Sequence, residues 1–534
     1  MRSIELRRKQ LQMLMSAFSI IVMWILGKQL NNIGIFLLVL AIETSTFFVI
    51  VCSEHLSEAL GRFLRSKQSK RQYKNVSFIR WNVGIIQGIT GAAVSLLFCV
   101  LSGVLSSGLF RMEYLYYPLL LITPLIFLRI LVHVFLGYFQ GIGNELPTIV
   151  VSILRQLLLL GTGISFGNSY MEKGLQISEL LKQDIYRYMY GVMGVIIAMV
   201  LTELVMLVLL ISFFMFYCVR TVGNHKDGLK SVDSRQNILR FVYRNRLGAI
   251  VLRILYSSPL WVALVAGCVC IDRQIITLND FALFWVKTIG LVGILLFVIY
   301  IFVLPLQNSA VSVIKTEGPR YASEAFNRSV LYLTAFGLFV AVSLVFLREQ
   351  ISMLLDKNNY AILSGYLIKG AFIVVFAVLS ELFAGILSLL GKKLILMVIW
   401  AVVDIFFAVI MFISAAKGFL SIDGILMGLL LVSLILCIVS GLFTGIVCRT
   451  GAELLFPFLA CILSACVAGL VQMGLTALFA PHLGSVVTIV VVLLISLIPY
   501  LFGLLFLRIF KEYDFEYLPG GNILLAFAQM IRLY

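Results

Sequence analysis

The sequence predicts an all-α integral membrane protein of about 14 spanning helices, arranged as two parallel six-helix lobes with two further helices at the C-terminal end. Three observations carry that expectation: a composition too apolar for water, the even spacing of long apolar stretches, and a pair of similar hairpins in the two halves. Of 534 residues, 61% are hydrophobic and 12% charged, and the mean hydropathy is +1.07. Soluble domains sit near 45–50% apolar and about 25% charged. The net charge of +16 does not mark a nucleic-acid binder, because the cations fall between apolar segments and so match inner-face loops and anionic lipid headgroups. The nine cysteines form no metal-ligand pattern, and Cys268 and Cys270 lie in or beside an apolar stretch, where packing is their expected role.

The first six spans are expected near 11–27, 33–53, 81–104, 114–138, 146–166 and 191–218. Each comes close to the ~17–25 residues that a helical crossing needs. MRSIELRRKQ ahead of the first reads as the start of a retained helix, with no cleavable signal. Residues 1–219 form the N-lobe, and 220–246, RTVGNHKDGLKSVDSRQNILRFVYRNR, form a long cytoplasmic linker. Six more spans, 247–270, 281–306, 329–347, 361–388, 393–415 and 423–447, make a C-lobe over 247–448. Spans at 454–479 and 485–509 form an appendix over 449–511, and the tail 512–534 ends in NILLAFAQMIRLY, a candidate interfacial helix. With the N-terminus inside, inner segments hold roughly 26 Lys and Arg against roughly 9 outside, so both termini are expected in the cytoplasm of a plasma-membrane protein.

The two lobes share a hairpin. FLGYFQGIGNELPTIVVSILRQ (135–156) is followed some 248 positions later by FAGILSLLGKKLILMVIWAVVD (383–404), and Gly137 and Gly143 fall opposite Gly385 and Gly391. Gly137 and Gly141 share one helix face and permit close packing. Gly143, Asn144 and Pro147 end one helix and start the next, with a hinge as the alternative role. The inner loop ending near Arg71–Lys74 is expected to match KTEGPRYASEAFNR (315–328).

Ionisable residues inside the spans each cost about 2.5–3.5 kcal/mol on insertion scales, so they should face protein or a wet cavity. They are Arg129 and His133, four apart on one face, then Arg155, Glu203, Arg253, Lys287, Glu381 and Asp404. Arg155 lies nine residues past Leu146, about 13 Å into the membrane. Arg129, Arg155 and Arg253 are candidates for a cationic, substrate-binding cavity wall, because guanidinium forks match phosphate bidentately. The competing reading makes Glu203, Glu381 and Asp404 their interhelical partners. Glu203, Asp404 and His133 are candidates for coupling, His133 more as an interhelical hydrogen-bonding residue, while Lys287 is expected to snorkel outward.

LGYFQGIGNELPT resembles the GYxQGxxNxxPT signature of the polysaccharide-transporter branch of the multidrug/oligosaccharidyl-lipid/polysaccharide (MOP) exporter superfamily, through Gly137, Tyr138, Gln140, Gly141, Asn144, Pro147 and Thr148. That branch includes oligosaccharide flippases, stage V sporulation protein B-like proteins and lipid II flippases, and its six-plus-six-plus-two helix order matches nearly the whole chain. Residues 11–26 and 33–51 carry no arginine where many such flippases do, and Arg253 is the only charge in the seventh span, where relatives often have aspartate.

The resemblance implies a flippase that moves a polyprenyl-pyrophosphate-linked saccharide to the outer leaflet by alternating access. Its partners would be membrane lipids and the glycosyltransferases or polymerase of the same pathway. No GxxxxGK[ST] motif is present, and no cofactor or metal is expected. A cation-coupled multidrug antiporter is the first alternative, and a membrane glycan polymerase or ligase using Glu172, Glu179 or Asp184 of the longest outer loop is the second.

Overall fold

The computed structural model describes residues 2–54, 56–70, 72–144, 146–221, 247–316, 319–448, 455–510 and 520–530, with a few isolated positions besides. Lipid offers no partner to a backbone amide, so spanning segments must close their own hydrogen-bond ladders. Among the described residues every regular element is a helix. The chain divides into two compact units, Met1–Ile254 and Leu255–Tyr534. The expected linker, 220–246, lies largely outside the described residues.

The first unit holds α1 (Arg2–Ser53), α2 (Leu56–Ser69), α3 (Tyr73–Gly103), α4 (Tyr116–Ile142), α5 (Leu146–Leu181), α6 (Ile185–Thr221) and the opening turns of α7 (Leu247–Asp272). The rest of α7 begins the second unit. There follow α8 (Leu278–Leu283), α9 (Gly290–Thr316), α10 (Pro319–Phe346), α11 (Arg348–Leu355), α12 (Tyr360–Gly370), α13 (Ile373–Leu389), α14 (Lys393–Ala416), α15 (Ile422–Cys448), α16 (Leu455–Phe479), α17 (Ser485–Phe506) and α18 (Gly521–Met530). Thirteen helices among the described residues are long and apolar enough to cross a membrane.

The difference from the expected 14 lies in α1. Its first two expected spans are two helices that meet with no loop between them at Asn31 (φ 59°, ψ 173°), whose Oδ1 accepts the Asn32 amide at 2.7 Å. The chain nonetheless doubles back there. A Cβ on Gly27 would lie 2.9 Å from Ile35 Cδ1, whereas eight residues of straight helix span about 12 Å.

The C-terminal end of α4 is a tightly packed corner. The stretch expected as a loop after the second span is instead α2, an amphipathic helix that buries Leu56, Leu60 and Leu64. It lies against the two helix-face glycines. A Cβ on Gly137 would stand 2.8 Å from Ser57 Cα, and one on Gly141 would stand 2.7 Å from Leu64 Cβ. Ser57 Oγ donates to the His133 carbonyl at 2.7 Å, and Arg65 Nη2 donates to the Gln140 carbonyl at 3.0 Å, satisfying an oxygen at the helix end. Gly143 then takes φ +81°, with its amide on the Gln140 carbonyl and the Asn144 amide on that of Phe139, so the helix closes in a left-handed cap. Asn144 Oδ1 accepts the Leu146 amide at 3.3 Å as α5 begins, with Pro147 buried as its second residue. Tyr138 faces Arg80, whose guanidinium lies 4.3 Å from the Phe214 ring and 5.5 Å from that of Tyr138.

The second unit builds the same corner. Gly391 (φ +83°) donates to Ser388, and Lys392 donates to Leu387, the counterparts of the bonds around Gly143. Gln307 packs on Gly385 and donates to the Glu381 carbonyl at 2.8 Å, as Ser57 does to His133. Lys315 Nζ caps the Leu389 carbonyl at 3.1 Å, as Arg65 caps Gln140. The counterpart of α2 is therefore the C-terminal end of α9, a helix that runs unbroken through Pro305 where the first unit's chain breaks between Ser53 and Leu56. The expected correspondence between 71–74 and 315–328 is thus preceded by a matched pair of helical segments.

The longest expected outer loop, residues 167–190, is two helical continuations. α5 runs for 36 residues and α6 for 37, each about 54 Å or more, against about 30 Å of hydrocarbon. Gly174 lets the two helices touch, since a Cβ there would lie 2.7 Å from Tyr190 Cβ. In the second unit, α16 and α17 dock on α10 through buried Gln472, whose Nε2 donates to Ser343 (2.8 Å) and Ser496 (3.1 Å), and through Tyr500, which donates to the Ala335 carbonyl.

A Gly137→Val variant must push α2 off α4, and overpacking of this kind costs about 1–3 kcal/mol. Thermal unfolding of the purified full-length protein in detergent should show a clearly lowered midpoint. A wild-type melting curve would contradict the close approach described here.

Candidate functional site

A cavity of about 450 Å³ lies within the first unit. Its walls follow helical spacing. From α1 come Ile42, Thr46, Val49, Ile50 and Ser53, and from α4 come Leu125, Arg129, Val132, His133 and Leu136, the same i, i+4, i+7, i+8, i+11 pattern on each helix. α5 contributes Arg155 and Gln156, α6 contributes Thr202 and Glu203, and the first turns of α7 contribute Arg253. All three arginines singled out in the sequence therefore line one chamber, together with His133 and Glu203. With Glu54 as the second carboxylate, the wall holds three arginines and two glutamates.

The arginines are not equivalent. Arg155 Nη2 contacts Glu203 Oε2 at 2.5 Å, an ion pair between α5 and α6. The partner reading and the cavity reading thus meet in one residue. Glu203's side chain is only 3% exposed, whereas Arg155's is 34% exposed, so Glu203 holds one nitrogen and the rest of the guanidinium borders the chamber. Arg129 has no such lock: its Nε is buried with no hydrogen-bond partner among the described residues. Its charged surroundings are Arg155, Glu203 and Glu43, and Glu43 is acted on in turn by Arg253 and Arg129. A charge in this setting is tolerated because opposite charges and a wet chamber replace bulk water.

His133 is an interhelical hydrogen-bonding residue, with Nδ1 2.9 Å from Ser53 Oγ where α1 gives way to α2. Deeper in, Gln156 Nε2 donates to Ser19 Oγ at 2.5 Å. Asp404 and Glu381 lie in the second unit, outside this cavity. Asp404 occupies the repeat position of Gln156 and accepts a hydrogen bond from Ser258 of α7, so both units tie the same position to a serine. Lys287 lies in a half-buried π-helical turn, Phe284–Ile289. Glu172, Glu179 and Asp184 stand exposed on the projecting hairpin.

Sequence reading missed Glu54, Thr202 and Gln156 as wall residues. The signal for the last two was adjacency, since each neighbours a charge already singled out. Glu54 looked like a loop residue at the end of a span.

No protein-family model matches the chain, and no curated protein matches it. Solved structures do share its fold. A multidrug resistance MATE family transporter of the MOP superfamily in an inward-facing conformation is 15% identical, with a TM-score of 0.60 over 82% of this chain and 94% of that one. The eukaryotic MATE transporter AtDTX14 is 14% identical, with a TM-score of 0.55 over 80% and 91%. The lipid II flippase MurJ, in an inward closed conformation, is 13% identical, with a TM-score of 0.56 over 93% and 98%. The chain has the fold of MOP-superfamily transporters and the architecture of a multi-pass membrane protein.

The Arg155–Glu203 pair should show in a double-mutant cycle. Arg155→Met and Glu203→Met each destabilise, and the double variant recovers about 1–3 kcal/mol of the summed loss in thermal unfolding. Simple additivity would mean that the two side chains do not interact.

Proposed function

We propose that the protein is a flippase carrying a polyprenyl-pyrophosphate-linked saccharide, a precursor of a surface polysaccharide, from the inner to the outer leaflet of the plasma membrane by alternating access. The observation that carries this reading is Arg129, a cation on the wall of a membrane-embedded chamber whose Nε has no hydrogen-bond partner among the described residues. Such a group is costly unless a ligand satisfies it. Together with the exposed side of Arg155 and with Arg253 beside it, Arg129 suits a pyrophosphate, whose oxygens accept from guanidinium forks. A chamber of about 450 Å³ falls within the range of small-molecule sites and takes a head group, leaving the polyprenyl chain in lipid. The fold shared with the lipid II flippase over 93% of this chain is consistent with such a cargo.

The arginines fix the charge of the cargo, and Glu203 and His133 serve to reset the site. Glu203 neutralises part of the Arg155 charge through Oε2, and the exposed side of the guanidinium is left for phosphate. Direction comes from consumption of the product outside by a glycosyltransferase or polymerase, or from the membrane potential, worth about 2.3 kcal/mol per charge per 100 mV.

In proteoliposomes, Arg129→Ala and Arg155→Ala should each cut translocation of a lipid-linked saccharide at least about 10-fold at equal protein content, as expected for losing a charge-assisted contact. Wild-type rates from both variants would remove the arginines from the mechanism. Should overexpression raise resistance to cationic drugs, with no lipid-linked sugar accumulating in a deletion strain, the cation-coupled drug antiporter would be the correct reading.

A further inference from the structure

The chamber has a second polar pole next to the arginines. Thr202 and Glu203 are adjacent on α6, and both residues are nearly fully buried, at 3% and 2% exposure. Thr202 Oγ1 and Glu203 Oε1 are buried without a hydrogen-bond partner among the described residues. A threonine hydroxyl inside a helix can bond the carbonyl one turn back. Thr44 does so with Leu40, Thr123 with Leu119 and Thr162 with Leu158. Four other described threonines share the lack of a partner, Thr148, Thr288, Thr334 and Thr476, but none of these lines the cavity. Glu203 meanwhile commits only Oε2 to Arg155.

Thr202 and Glu203 both line the cavity, so a hydroxyl and a carboxylate oxygen on one wall offer a donor and an acceptor. Phosphate cannot satisfy both, since phosphate brings only acceptors at neutral pH and would meet the carboxylate's negative charge. The complementary ligand group is one that both donates and accepts, such as a sugar hydroxyl or an acetamido group. Because Arg155 is bonded to Glu203, a phosphate held by the arginines places the next group of the cargo within reach of this pole.

We propose that Thr202 and Glu203 form a sugar-recognising subsite, with which the chamber distinguishes a glycosylated polyprenyl pyrophosphate from the bare lipid. This rests on the flippase reading above. Each member has one role: Glu203 Oε1 accepts from a ring hydroxyl or amide N–H, and Thr202 Oγ1 donates to a ring or acetamido oxygen. Sites built to hydrogen-bond a substrate group reject the analogue that lacks it, because their own polar atoms are then left unpaired. The expected preference is about 3–10-fold for each hydrogen bond.

The test uses the full-length protein in nanodiscs and two probes, polyprenyl pyrophosphate and the same lipid bearing one N-acetylhexosamine. Wild type should bind the glycosylated probe more tightly by that factor. Thr202→Val keeps the side-chain shape and removes the hydroxyl, so it should reduce the preference about 3–10-fold. Thr202→Ser should restore the preference, which a purely structural role for the methyl group would not do. Arg129→Ala should weaken both probes alike. The subsite is overturned if wild type shows no preference or if Thr202→Val retains it. The flippase reading itself fails if Arg129→Ala leaves both affinities unchanged or if neither probe binds, and those outcomes are distinct from the first two.

Discussion

A helix in lipid must dispose of the carbonyls at its end, and in this chain the solution at the end of α4 determines much of what surrounds it. Gly143 turns the backbone left-handed, Arg65 takes the Gln140 oxygen, and the missing side chains of Gly137 and Gly141 let α2 come close enough to deliver that arginine. The corner also positions the chamber. One turn before Gly137, His133 and Ser53 bond across the same contact, and the wall residues of α1 and α4 climb away from it with identical spacing. The second unit repeats the construction with Gly391, Lys315, Gln307 and Gly385. Backbone geometry and close approach are shared by the two copies, while the side chains that could serve chemistry are not: Arg155 has no charged counterpart at Val403, and Asp404 stands where the first unit has Gln156.

Much of this was legible in the sequence because it depends on local rules. The apolar stretches gave the span pattern, and glycines a fixed distance apart gave the corner in both halves. The arginines were visible because charge in a greasy segment is conspicuous. What escaped reading depends on tertiary context. RSKQSKR sounds like a loop, and α2 was recoverable only from Leu56, Leu60 and Leu64, an apolar stripe one turn apart among polar residues. The turn between the first two spans is a single residue, Asn31, in a non-helical conformation, too short to mark itself as a loop in the sequence. The pairing of Arg155 with Glu203, 48 residues apart, needs the α5–α6 contact to be known first.

The chamber combines two kinds of unfinished business. Arg129 presents a donor and Glu203 an acceptor, each buried at one atom without a partner among the described residues, with Arg155 bonded between the two sets of charges. In the proposed flippase, an all-cationic wall would hold any phosphate, whereas a wall with both polarities would tie retention to the group attached to the phosphate, and the ion pair would limit how strongly an anion is held.

The long α5–α6 hairpin has a practical consequence. α5 and α6 extend well past the hydrocarbon, zipped at Gly174, and their connection at Lys182–Gln183–Asp184 is exposed on every side. Backbone there makes local turn bonds, the Gln183 amide on the Ser178 carbonyl and the Tyr186 and Arg187 amides on the Gln183 and Asp184 carbonyls. An epitope inserted at that tip would sit on a stiff stalk remote from the bilayer, reachable by an antibody without disturbing any buried contact, and its accessibility on intact cells would read out the protein's orientation directly.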